Sequence, residues 1–342
     1  KHILYIMTNI KIKNKKIAII GGGISGLSAA YYLAKKYKVF LYEKERELGG
    51  HAITLKRNLA TDKVNKKNIF FDIGFLVFNN RNYPNFSKLL DTILVKTEKS
   101  NMSFSVTNKK SGFEYGSTGI LSLTNNFKNI FSLDFYNILF SIFKFYRRSK
   151  ELIKEGKKNI TLGDFLNKNK FSKSLVFNHI IPMCAAIWST SSKKVLHMPA
   201  NYILKFLDNH GLLSLFNRPQ WKTISSGSIK YVNKLEQITN VKIFKNEKVV
   251  KVIRRDKKIL VRSKRSLKVF DYIVFAIHAD DILKILEFPT NKERDIFSKY
   301  NYEKNSIYVH HDKSLMPSNK NVWSSWNVIT SDNNAKVNSN IC

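Results

Sequence analysis

The chain is poor in cysteine, in acidic residues and in long uncharged apolar runs. Cys184 and Cys342 are its cysteines in 342 residues, so there is no disulfide framework and no paired thiol spacing for a metal. H-E-x-x-H, G-x-S-x-G and the Walker loop are all missing. Zinc-hydrolase, serine-hydrolase and Walker-type phosphoryl chemistry therefore find no support, and no bound metal is expected. The thiol usage fits a reducing compartment, and a cytoplasmic location is expected. Asp and Glu together number 25 against 59 Lys and Arg, a formal net charge of +34. Such a field concentrates polyanions. The basic residues are overwhelmingly Lys, however, and Asn, Ile, Phe and Tyr are abundant too, the pattern of A+T-rich codons. Base-reading proteins lean on Arg, and no basic stripe interleaved with aromatics is present, so no specific nucleic-acid partner is expected. Mutational bias is the favoured reading, with polyanion binding as its competitor.

No window reaches the roughly 18 nearly uncharged apolar residues of a membrane span. The nearest approach is 129–154, interrupted by Asp134, Asn137 and Lys144. Its apolar residues fall almost all round a helix, which predicts a buried one. The alternative is a peripheral membrane contact, an aromatic helix ending in Arg147, Arg148 and Lys150 that lies on a lipid surface. The opening "KHILYIMTNIKIKNKK" has neither the uninterrupted apolar core nor the cleavage site of a signal peptide. Residues 1–15 are expected to be an N-terminal extension, with Met7 as the true start.

Glycine, in contrast, is concentrated where it has work to do. Ile17 to Ile20 form a short apolar run of the kind that makes a buried parallel strand. Gly21, Gly23 and Gly26 follow as G-x-G-x-x-G, then the helical pattern "LSAAYYLAKKY" and a second strand, "KVFLYE", ending in Glu43. In a dinucleotide fold the first glycine permits the strand-to-helix turn and the second lets a pyrophosphate approach the backbone. The third lets helix and strand pack closely. The helix N-terminus favours the phosphates, and an acid at the end of the second strand accepts from ribose hydroxyls, which disfavours a 2′-phosphate and hence NADP. Strand, turn, helix, strand and acid come in the required order.

Past Glu43 comes Gly49-Gly50, a spacing that resembles the E-x-x-x-x-x-G-G signature of glutathione-reductase-like and amine-oxidase-like flavoproteins. There a second glycine turn meets the far side of the FAD pyrophosphate, so FAD is the expected cofactor. The segments "FDIGFLVFNNRNYPN", "MSFSV", "PMCAAIWSTS", "NHGLL", "NRPQWKTISSGSIKYV", "DYIVFAIHADDIL", "HHDKSLMP" and "WSSWN" extend the likeness. Over about 16–327 the chain resembles bacterial NAD/FAD-binding proteins of the flavin-containing amine oxidase superfamily, often encoded beside cyclopropane-fatty-acyl synthases.

The resemblance implies an α/β fold: a glutathione-reductase-like Rossmann FAD-binding domain, discontinuous over 16–80 and 217–285, with an inserted α+β substrate domain, amine-oxidase-like, over 81–216 and 286–342. Sequence pattern agrees, since 241–280 reads as strands broken by charged turns and 83–215 mostly as helices. By the same resemblance Asp72, Gly74 and Phe75 lie near the flavin and Val250 meets adenine through its backbone. Ser25, Lys44 and His51, in the two glycine loops, join Gly21, Gly23, Gly26, Glu43, Gly49 and Gly50 among the expected cofactor contacts. His278 stands where many relatives carry Pro. The Arg usual beside the second glycine pair is replaced by Glu47 and His51, with Arg46 adjacent.

The last glycine is Gly227, so the glycine-rich strand-turn-helix with which relatives close is missing. The expectation is a piece of a longer protein, truncated at the C-terminus.

The activity implied is that of an FAD-dependent oxidoreductase of oxidase or desaturase type, passing a hydride to flavin N5 from an apolar, lipid-like substrate. Alternatives are a catalytically deficient flavin-binding fragment and an amine oxidase acting on a small amine. The catalytic candidates are His210, Trp221, His310 and Asp312, with Arg218 weighed beside them. His210 before Gly211 also fits a helix C-cap, and Trp221, with Trp188, Trp323 and Trp326, also fits a core. On a strand, His310 and Asp312 would share one face as an acid–base pair, with His311 on the other.

Overall fold

A computed structural model describes residues 13–60, 66–110, 112–116, 133–156, 159–188, 190–214, 217–237, 240–302, 304–330 and 338–341. Residues 1–12, the first four positions of the 129–154 segment and Cys342 lie outside them.

The chain divides into two compact units. The first runs to Val77 and adds Pro84–Glu98 and Thr223–Ile307. The second comprises Phe78–Tyr83, Lys99–Lys222 and the residues from Tyr308 onward. The unit holding the glycines thus also takes in 84–98 and 286–307, which the sequence reading gave to the substrate domain.

In the first unit, β1 (Lys13–Ile20), α1 (Ile24–Leu33) and β2 (Tyr37–Tyr42) form a strand–helix–strand unit with parallel pairing, Ile17 opposite Val39 and Ile20 opposite Tyr42. Ile17 to Ile20 are buried because both faces of β1 are covered, which is why the run reads as uninterruptedly apolar. Val241–Phe244 adds outside β2 and Tyr272–Phe275 outside β1, both parallel. One face of this sheet packs on an antiparallel meander, Val249–Arg255, Lys258–Ser263 and Leu267–Phe270. Their shared core is Ala18, Ile20, Tyr42, Val252, Val261 and Phe270. The expected strands over 241–280 are therefore present. Lys258 donates to Asp271 at 2.6 Å, and the Lys16 N–H donates to the same carboxylate at 2.7 Å, tying meander to β1.

The second unit has a sheet in the order Asn338–Ile341, Trp326–Thr330, Phe104–Asn108, Phe113–Gly116. Its inner pair is parallel, with Trp326 opposite Phe104 and Thr330 opposite Asn108. Helices Leu133–Glu155, Leu162–Lys168, Ile181–Trp188 and Ala200–Asn209 build the core around Phe145, Phe165, Leu175, Cys184, Ile203 and Leu207. Two expectations are corrected here. Within the stretch read mostly as helices, Thr97–Lys99, Phe104–Asn108 and Phe113–Gly116 are strands; Phe104–Asn108 pairs with Phe113–Gly116 and also with Trp326–Thr330, a partner more than two hundred positions later that no local periodicity reports.

The helix over 133–155 is not buried all round. Phe145, Ser149 and Leu152, one helical face by spacing, are buried, whereas Phe140 is 72% and Phe143 55% exposed.

Candidate functional site

The glycines act as their spacing requires. Gly21 closes β1 at φ +106°, a conformation that favours glycine, and its N–H donates to the Tyr42 carbonyl at 2.8 Å. A Cβ at Gly26 would stand 1.9 Å from the Gly21 carbonyl oxygen, so only a hydrogen lets α1 descend onto the end of β1. At Gly23 a Cβ would meet nothing nearer than the Gly50 Cα at 4.0 Å. The space above it is open. Gly23 caps α1, no side chain caps that terminus and its first turn carries no acid, so the free N–H groups and the helix dipole face an anion unshielded. Gly21 also abuts the Ala276 carbonyl beyond the last parallel strand. The loop therefore sits at the carboxyl ends of two neighbouring parallel strands, the edge at which open α/β sheets bind ligands.

The second glycine turn folds onto the first. Gly49 N–H donates to the Gly22 carbonyl at 2.9 Å, Gly23 and Gly49 form an isolated parallel bridge, and a Cβ at Gly50 would come within 3.2 Å of Gly23 Cα. Gly49 and Gly50 both have positive φ, +117° and +59°. Two loops far apart in sequence thus make one glycine-floored surface.

Glu43 is buried at the end of β2. One carboxylate oxygen accepts from the Gly22 N–H at 2.6 Å and the other from the Glu45 N–H at 2.9 Å. A carboxylate has about four lone-pair sites, so it keeps acceptor capacity for hydroxyls while its orientation is fixed.

The other expected contacts divide. Ser25 is exposed in the first turn of α1, and Lys44 is exposed beside Glu45. The His51 carbonyl accepts from the Phe75 N–H at 3.0 Å and would lie 2.1 Å from a Cβ on Gly74, so Gly74 and Phe75 pack directly on the second glycine loop. The His51 ring faces His278 at 6.0 Å between centroids, and His278 stacks on Tyr302 at 4.0 Å.

Asp72 has a different neighbourhood. It accepts from the Ser228 N–H at 2.9 Å and the Ser228 hydroxyl at 2.8 Å, and from the Thr54 hydroxyl. It thereby anchors the start of helix Ile229–Glu236. Val250 lies where the strand pairing skips from Val249 to Lys251, a bulge that leaves its backbone out of register.

In the second unit, His210 caps helix Ala200–Asn209: its Nδ1 lies 2.7 Å from the Phe206 carbonyl, and Gly211 follows at φ +71°. The ring stacks on Phe206 at 3.9 Å and faces Trp221 at 6.0 Å, so two of the catalytic candidates share one aromatic stack.

His310 and Asp312 are not on a strand, which corrects that expectation. Both are exposed in irregular chain. The Asp312 N–H donates to His310 Nδ1 at 3.2 Å, and Asp312 caps a short turn by accepting from the Ser314 N–H at 2.9 Å. That bond and the neighbouring imidazoles hold its carboxyl below the usual range.

Residues 19–93 match the NAD(P)-binding Rossmann-like domain. A curated relative, prenylcysteine oxidase 1 of Rattus norvegicus, is 52% identical over 46 residues, 12% of this chain and 9% of that protein. Two solved structures share the fold. Wild-type putrescine oxidase bound to putrescine aligns with a TM-score of 0.60 at 14% identity, over 84% of this chain and 64% of that one. The fatty acid isomerase of P. acnes that produces CLA aligns at 0.57 and 16% identity, over 84% and 65%. The chain spans less than two thirds of each of these proteins' own length. Its architecture is therefore a mixed α/β fold with a Rossmann-like domain and amine-oxidase-like structural neighbours.

Two features escaped sequence reasoning. Buried Glu114 accepts from the Ser318 and Asn319 N–H groups at 3.0 and 3.1 Å, and buried Asn327 accepts from Ser105 at 2.8 Å. Both tie the late segments to the Phe104–Gly116 strands. A buried acid or amide in a strand gives a sequence signal only as an interruption of apolar alternation.

Proposed function

We propose that the Rossmann-like domain holds FAD and that the chain belongs to an oxidoreductase working on an apolar, lipid-like substrate. The observation that carries this is the packing of Gly49-Gly50 against Gly22-Gly23. A dinucleotide whose second half runs on from the pyrophosphate needs a second stretch of approachable backbone, and NAD folds have no such turn. The residues fit the group: open space over Gly23, uncapped N–H groups at α1, and a fixed Glu43 with acceptor capacity for ribose hydroxyls.

FAD, when bound, supplies the hydride-accepting ring. The chain's own part is to bind and orient. Gly23 and the first N–H groups of α1 take the pyrophosphate, Glu43 the adenosine ribose, and the loop of His51, Gly74 and Phe75 lies next along the same surface. The neighbours named for putrescine oxidase and fatty acid isomerase support a flavin-type fold and leave amine and lipid substrates both open. The exposed Phe140 and Phe143, beside Arg147 and Lys150 on helix Leu133–Glu155, favour an anionic membrane surface as a partner over a purely internal role for that helix. Among the described residues no helix is long and apolar enough to cross a membrane.

The test is direct. Purified chain titrated with FAD and with NAD should quench flavin fluorescence with saturable affinity and show no comparable NAD binding. Absent or equal binding would sink the reading. Oxygen consumption with candidate lipids and amines then separates an active enzyme from a flavin-binding fragment.

A further inference from the structure

A group of metal-ligating side chains lies in the first unit, on the turn that leaves strand Tyr272–Phe275. His278 precedes helix Ala279–Ile285, and Asp280 and Asp281 occupy its first turn. The Asp281 N–H donates to the His278 carbonyl at 3.1 Å, so a single turn carries all three side chains. One imidazole nitrogen and one oxygen from each carboxylate lie within 4.8 Å of one another. Donor atoms around a tetrahedral zinc, with bonds of about 2.1 Å, stand about 3.4 Å apart. Rotation of the side chains covers that difference.

Acids in a first turn commonly offset a helix dipole, which accounts for two negative charges here. Two further observations lie outside that account. Asp280 Oδ1 is buried and has no hydrogen-bond partner among the described residues, and a desolvated carboxylate oxygen without a donor or a cation is costly. His278, which no dipole calls for, brings a nitrogen donor to the same place. Its ring is held by stacking on Tyr302 at 4.0 Å.

Lys284 is the competing cation. Its Nζ lies 2.6 Å from Asp281 Oδ1 but 3.9 Å from Asp280 Oδ2, so it meets one carboxylate and leaves the buried Asp280 oxygen unmet. The lysine side chain is 66% exposed, and a surface ion pair of that kind is worth little. It can yield to a stronger cation.

We propose that His278, Asp280 and Asp281 ligate a first-row divalent transition cation, zinc in preference to manganese or magnesium. One imidazole with two carboxylates suits that class, and zinc stands above manganese in the order of affinities. Three protein ligands leave a position open to solvent. Magnesium demands octahedral oxygen ligands and gives up its water reluctantly. The Ala276 carbonyl, two residues before His278, abuts Gly21, so the ion would stand on the same edge of the sheet as the glycine loop. The site goes beyond the cofactor reading and does not rest on it. Its H-x-D-D spacing matches none of the recurrent metal motifs, which is why the sequence reading expected no metal.

Calorimetric titration of the tag-free full chain with Zn2+, Mn2+ and Mg2+ tests the site. Zn2+ should bind once per chain, at least about tenfold more tightly than Mn2+, and should raise the melting temperature. His278→Phe keeps a ring on Tyr302 and removes the nitrogen, whereas Asp280→Asn keeps the shape and removes the charge. Each should weaken Zn2+ binding at least about tenfold and abolish the zinc-dependent rise in melting. Both side chains are at least partly exposed, so the metal-free melting temperature should hold. Lys284→Met should tighten Zn2+ binding by up to about fivefold, the worth of the surface ion pair it removes.

Absent Zn2+ binding, or binding unchanged in both His278→Phe and Asp280→Asn, would overturn the proposal. The second result would place the ion elsewhere, with the exposed His310 and His311 the first positions to test. Equal binding of Zn2+ and Mg2+ that needs Asp280 but not His278 would reduce the group to a pair of acids and overturn the assignment to a transition metal. Weaker Zn2+ binding in Lys284→Met would make the lysine a necessary part of the group and overturn its role as competitor.

Discussion

Gly23 and Gly26 are three residues apart, and the structure assigns them opposite consequences on substitution. An alanine methyl at Gly26 would fall 1.9 Å from the Gly21 carbonyl oxygen, a backbone atom that cannot rotate away. Helix α1 would have to retreat from β1, and forced overpacking of this kind costs about 1–3 kcal/mol. At about 2–4 °C per kcal/mol for domains of 150–250 residues, melting should fall by several degrees even without cofactor.

Gly23 has φ −72° and ψ −178°, open to any residue, and no atom nearer than 4.0 Å to its notional Cβ. Gly23→Ala should therefore leave the cofactor-free melting temperature unchanged, within the roughly 0.5 kcal/mol of an innocuous surface change. The new methyl, however, would occupy the space into which a pyrophosphate descends. Losing hydrogen bonds to a charged group costs about 1.5–3 kcal/mol, so FAD affinity should drop by about ten- to more than a hundredfold. Differential scanning fluorimetry without FAD and fluorescence titration with it give both numbers for both variants. If Gly23→Ala bound FAD as the parent does, or melted as low as Gly26→Ala, the assignment of the open space over Gly23 to the pyrophosphate would be wrong.

Two further outcomes are expected. Phe140→Ser with Phe143→Ser should release the protein from anionic vesicles in a co-sedimentation assay without lowering its melting temperature, while Phe145→Ser should destabilise it by about 3–5 kcal/mol. No vesicle binding by the parent would exclude the surface role. Glu293 is held down to about 2, first by its hydrogen bonds with Arg254 at 2.8 and 2.9 Å. Its folded-state value lies below the ordinary 4.5, so its contribution is fully present above about pH 4.5 and is lost as pH falls toward 2. In denaturant melts the parent should exceed Glu293→Gln most near neutrality and converge with it on acidification. A gap independent of pH would contradict the pairing.

What the sequence by itself determined is the strand–turn–helix–strand unit and its terminal acid. An apolar run, glycines at fixed offsets and a helical period are all local, and local sterics make each glycine's role readable before any fold is known. The spacing of Gly49-Gly50 likewise announced a second turn, and the charged breaks over 241–280 announced strands.

Only the tertiary structure decided the rest. It set Gly49 on Gly22, seated Gly74 on His51, spent the Asp72 carboxylate on Ser228 and Thr54, and turned Phe140 and Phe143 outward while burying Phe145. It stacked His210 beside Trp221, left His310 and Asp312 in an exposed turn, and brought the Tyr115 hydroxyl onto His179. Apart from the locally capped turn at Asp312, these depend on contacts between residues distant in the chain, and such a contact leaves no period, spacing or propensity in either partner from which it can be read.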